Sequence, residues 1–78
     1  MKTLEEVLEY NYPFLLCSEG CWKTGDDEII AICTMDESHI KHCIDFVKNW
    51  GEPDKDDLYS EEITKMMRKK IEELEKAL

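Results

Sequence analysis

The sequence predicts one α+β domain: a short N-terminal helix, a small antiparallel β-hairpin or three-stranded sheet, and two helices packed on it. Three observations carry this expectation. A β-branched run at residues 28–33 follows a turn rich in Gly and Asp, which is hairpin chemistry. Two later segments repeat their apolar residues every three or four positions, the period of a helix with one buried face. The 78 residues place the chain near the lower limit for a single self-sufficient core, so residues 1–78 form one domain.

Thr3-Leu4-Glu5-Glu6 fits a capping box, in which a hydroxyl and a carboxylate satisfy amide groups left open at a helix start. Leu4, Val7 and Leu8 then form a short apolar stripe. Asn11-Tyr12-Pro13 ends the helix, because the residue before proline avoids helical geometry. Residues 14–17 read as a strand, closed by a turn at Ser18-Glu19-Gly20. Residues 21–23 and 28–33 read as two further strands joined by Thr24-Gly25-Asp26-Asp27, where Gly and Asp supply unusual backbone angles.

Asp36 is the expected cap of the second helix, with Glu37 in its first turn and Met35 and Ile40 at the two positions of a hydrophobic staple. His39, Cys43, Phe46 and Trp50 line one strip of this helix, with Ile40, Ile44 and Val47 beside it. The resulting apolar face is expected to lie on the sheet. Gly51 and Pro53 stop the helix. An acidic connector, residues 51–57, leads to a last helix from Ser60 onward. Its stripe is Ile63, Met67, Ile71, Leu74 and Leu78, with Met66 and Ala77 alongside. That spacing suits packing on the domain or pairing with a second copy as a homodimer.

Apolar residues make up 42% of the chain and charged residues 37%, a foldable chain with a heavily ionised surface. The net charge is −9, and it is uneven: residues 1–58 hold 14 acids against 5 bases, while residues 59–78 hold 5 of each. Such a surface repels phosphate backbones, which argues against direct nucleic-acid binding. It is attracted to basic grooves, or it serves solubility alone. The longest apolar run, residues 29–33, is far short of the roughly 20 residues that span a bilayer. The N-terminus carries acids where a secretory signal would be apolar, so a cytoplasmic location with reduced thiols is expected.

Four cysteines raise a metal hypothesis. Cys17 and Cys21 with His39 and Cys43 would make a tetrahedral Cys3His zinc site, and zinc would support a small core. The spacing departs from the common zinc patterns, and Cys43 lies on an apolar face where a free cysteine packs as a small hydrophobe. No cofactor is expected. For catalysis, Cys43 with His39 or His42 is the local thiol–base candidate. No phosphate-binding glycine loop, serine elbow or zinc-protease motif is present, and the expected activity is not enzymatic. The acids at Asp26, Asp27, Glu28, Asp36 and Glu37 lack the alternation of a calcium loop and read as solvated turns and helix starts.

Residues 22–44 carry a further pattern: Trp22-x-Thr24, an isoleucine strand through Ile29 and Ile32, then Met35-Asp36, His39-Ile40 and Cys43-Ile44, with Tyr59 near a later helix start. This resembles a group of short, mostly uncharacterised bacteriophage and prophage proteins. The likeness covers under a third of the chain. Gly25 stands earlier than in the usual form, Asp27 sits where a glycine is common, and His42 replaces an asparagine. The resemblance implies that Trp22 and Ile32 pack, Met35 staples, Asp36 caps and His39 bonds back towards the hairpin. Small acidic phage proteins include inhibitors of host defence, among them anti-CRISPR proteins that imitate nucleic-acid charge. The expectation is therefore a protein of the host bacterial cytoplasm that binds and inhibits a basic host macromolecule such as a defence nuclease. Its contact residues would be Glu19, Asp26, Asp27, Glu28, Glu52, Asp54, Asp56 and Asp57.

Overall fold

A computed structural model describes residues 2–78 as an elongated α+β domain of 39 × 21 × 18 Å. Its elements are helix α1 (Leu4–Asn11), strands β1 (Cys21–Lys23) and β2 (Ile29–Ala31), and helices α2 (Glu37–Trp50) and α3 (Ser60–Lys76). The caps follow from short polar side chains. Thr3 accepts the Glu6 amide at 3.2 Å, and Asp36 accepts the His39 amide at 2.8 Å. Each satisfies one amide that a helix start leaves open. Gly51, at φ 86, takes a positive-φ conformation that suits glycine and ends α2.

The strands pair antiparallel in the register Cys21 with Ala31, Trp22 with Ile30 and Lys23 with Ile29. The sheet has two strands, because residues 14–17 do not extend as expected. Pro13–Leu15 form a 3-10 turn, with the Leu15 amide on the Tyr12 carbonyl and the Leu16 amide on the Pro13 carbonyl. Proline suits the first position of such a turn, where its missing N–H is no loss. Phe14 and Leu15 still bury, at 3% and 4% exposure. The isoleucine run also ends early as a strand: Ile32–Thr34 turn in 3-10 form, and the Thr34 hydroxyl bonds the Ala31 carbonyl at 2.7 Å.

The core joins α1 (Val7, Leu8), the 3-10 turn, Trp22, Ile32, α2 (Ile40, Cys43, Ile44, Val47) and α3 (Ile63, Met67, Leu74). The face of α2 meets α3 rather than lying simply on the hairpin. Two helices sharing a stripe bury more apolar surface than a three-residue strand pair offers, at about 25 cal/mol per Å². Ile63 and Leu74 are fully buried and Met67 nearly so, while Ile71 is half-buried and Leu78 exposed. Of the two roles this spacing suits, packing on the domain takes most of the stripe, since Ile63, Met67 and Leu74 lie in the interior of one chain.

Candidate binding surface

All eight acids expected to contact a partner are exposed, and they lie on three segments. Glu19 sits in the turn before β1, where its carboxylate reaches Lys69 at 3.7 Å. Asp26, Asp27 and Glu28 form the hairpin tip, with Asp27 pairing to Lys23 at 3.6 Å. The tip is shaped by backbone bonds: the Thr24 amide to the Glu28 carbonyl and the Asp27 amide to the Thr24 carbonyl. Asp27 has φ 64, so it stands in the left-handed region that glycine tolerates best. Glu52, Asp54, Asp56 and Asp57 belong to the connector. Glu52 pairs with Arg68 at 3.1 Å, and the Asp57 carboxylate accepts the Asp54 amide at 3.1 Å. Among the described residues, Asp26, Glu28, Asp54, Asp56 and Asp57 have no ion-pair partner.

Two hollows adjoin these acids and share Trp50. One, of about 480 Å³, is bordered by Tyr12, Asp57, Leu58 and Lys2. Tyr12 has its phenol pKa raised, first by burial and then by the charges of Asp57 and Asp54. The other, of about 300 Å³, lies between the hairpin and α2 and is walled by Phe14, Trp22, Phe46 and Trp50. Their rings touch in sequence: Phe14 stacks on Trp22 at 5.9 Å, and Phe46 and Trp50 meet Phe14 edge-on at 5.4 and 5.3 Å. Such pairs contribute about 0.5–1.5 kcal/mol each beyond area burial. Sequence periodicity marked Phe46 and Trp50 as part of a buried face, but they remain 40% and 46% exposed.

His39 and His42 line the same cleft. Among the described residues the His39 ring makes no hydrogen bond to the hairpin; the His39 backbone amide donates to Asp36. Cys43 lies beneath, 2% exposed, and burial pushes its thiol pKa up. A buried, protonated thiol is a poor nucleophile. The zinc quartet does not assemble. The Cys17 thiol instead points at the Phe14 and Cys21 carbonyls at 3.5 and 3.2 Å. Among the described residues no three His, Cys, Asp or Glu side chains come together to hold a metal ion. All four cysteines are free.

Beyond the residues expected from the sequence, α3 carries one buried polar centre. Lys70 is 5% exposed, and its ammonium donates to the Cys21 carbonyl at 2.8 Å, to the Ser18 carbonyl at 3.4 Å and to Glu73 at 3.0 Å. Glu73 also accepts the Gly20 amide at 2.9 Å. Burial alone would raise the Glu73 pKa, but the Gly20 amide, the Lys70 hydrogen bond and the charges of Lys70 and Lys69 together hold it low. The signal was present: Lys70 falls between Met67 and Leu74 on the apolar stripe of α3. No protein-family model, curated protein or solved structure matches the chain. No helix among the described residues is long and apolar enough to cross a membrane.

Proposed function

We propose that this chain is a non-enzymatic, phage-type accessory protein that binds a basic host macromolecule and inhibits it by covering its basic surface. A defence nuclease is the kind of target this reading favours, with the acids standing in for nucleic-acid phosphates. The observation that carries the reading is the exposure of all eight acids on a folded scaffold, with the hairpin tip and the connector bordering hollows that share Trp50. A rigid array of like charges raises encounter rates with an oppositely charged surface and selects against neutral ones. The resemblance at residues 22–44 supports the phage origin, and the buried Cys43 thiol lends no support to thiol catalysis.

Capture from bacterial lysate on the immobilised protein at about 50 and about 200 mM salt tests the reading, because contacts made by exposed charges weaken steeply over that range. The expected result is a protein with a basic surface, held at low salt and released at high salt. Retention of a neutral or acidic partner at both concentrations would contradict it.

A further inference from the structure

We infer that the cleft between the hairpin and α2 receives one large apolar side chain of a protein partner, carried on a segment whose neighbouring residues are lysine or arginine. This rests on the reading that the chain binds a basic partner, and adds what that partner must present. At about 300 Å³ the cleft is at the small end of ligand-holding sites, about 300–1,000 Å³. It has room for a side chain or two and none for a helix. Its walls are already set: Phe46 and Trp50 stand half-exposed but are held by their contacts with Phe14, so an entering side chain orders little on arrival.

The charge around the rings selects the flanks. Lys23 is the lysine on the lining, and Asp27 pairs with it at 3.6 Å. Asp26 and Glu28 adjoin Asp27 on the hairpin tip, and Asp45 borders the adjacent hollow beside Phe46 and Trp50. Among the described residues none of these three has an ion-pair partner. Beyond Trp50 the next hollow is bordered by Asp57. Acids thus stand on both sides of an aromatic floor. A cationic flank gains Coulomb attraction there and can lie over the exposed face of Trp50. Nucleic-acid bases could stack on the same rings, but their phosphates would meet the acids, so a protein segment is the occupant.

The test is an NMR titration of the full chain with three synthetic pentapeptides: Lys-Arg-Phe-Arg-Lys, the same peptide with Ala at its centre, and Glu-Glu-Phe-Glu-Glu. The basic Phe peptide is expected to shift the indole N–H signals of Trp22 and Trp50 and the amides of residues 24–28. The Ala peptide should bind about tenfold more weakly, as when an interface anchor is removed. The acidic peptide should leave the spectrum unchanged, and Trp50→Ala should reduce the Phe peptide to the affinity of the Ala peptide. Equal affinity for the Phe and Ala peptides with unmoved tryptophan signals overturns the cleft but leaves the charge reading standing. Equal binding of the acidic and basic Phe peptides overturns the role of the rim and counts against both. Silence with all three overturns the inference alone, since a pentapeptide spans too little of the acidic surface to test the larger reading.

Discussion

The ammonium of Lys70 lies 2.8 Å from the carbonyl oxygen of Cys21, joining the middle of α3 to the first residue of the hairpin across 49 positions of chain. The same nitrogen holds Glu73, and Glu73 holds the Gly20 amide. This small network positions the hairpin, and with it Trp22 and the acidic tip, against the helices.

Removing one member of a buried, hydrogen-bonded charge pair leaves the others unpaired, at a cost of about 3–5 kcal/mol. Lys70→Met keeps the volume and removes the charge. Denaturant unfolding should show a loss near the lower end of that range, because Glu73 retains some contact with water and the Gly20 amide. A loss below about 0.5 kcal/mol, the usual size for a surface substitution, would show that the network does not anchor the hairpin.

The lowered pKa of Glu73 sets a pH dependence. In the unfolded chain the carboxyl titrates near the ordinary glutamate value of about 4.3. Because its folded pKa is lower, the unfolded state binds the extra proton in the window between the two, so stability falls as the pH drops there. The contribution is complete above about pH 4.3 and is lost as the pH falls through the folded pKa. Subtracting the stability–pH curve of Glu73→Gln from that of the unmodified chain should give a difference that is flat near neutrality and declines only in acid. A difference that grows on acidification would reverse the sign and contradict the geometry.

Asp27 holds φ 64 at the hairpin tip. An L-residue in that region is strained by roughly 1–2 kcal/mol, with Asp among the more tolerant residues. Asp27→Gly removes the strain, gives up an exposed ion pair of small value and adds flexibility to the unfolded chain. Thermal unfolding should show a net gain of about 0.5 kcal/mol. A clear loss would mean that the Lys23 contact outweighs the backbone strain.

Leu74 is fully buried within one chain. Leu74→Ala should cost about 2–5 kcal/mol through the cavity it leaves, with no change of mass in solution. Loss of a dimer on this substitution would restore the last helix as an interface between copies.

Local chemistry made much of this fold legible. The Asp36 cap, the Gly51 stop and the hairpin turn depend on neighbours within four or five positions, and each forms where expected. Residues 14–17 turn where a strand is expected, because an apolar run of that length suits a strand or a buried turn equally well and Pro13 favours the turn. The aromatic cleft was hidden for a different reason. Phe14, Trp22, Phe46 and Trp50 come from three distant segments, and helical spacing shows only that Phe46 and Trp50 share a strip. Lys70 was legible in part: a lysine on an apolar stripe must find partners or leave the core, but the Cys21 carbonyl lies far away in sequence.

The most direct test of the central claim is the affinity for the captured partner, measured across a salt series with the unmodified chain and with Asp54→Lys, Asp56→Lys and Asp57→Lys combined. If exposed acids carry the binding, affinity falls as salt rises, and the triple variant binds about tenfold or more weakly at low salt with a shallower salt dependence. Equal affinity for the two proteins, with no response to salt, would mean that the acidic surface is not what the partner recognises.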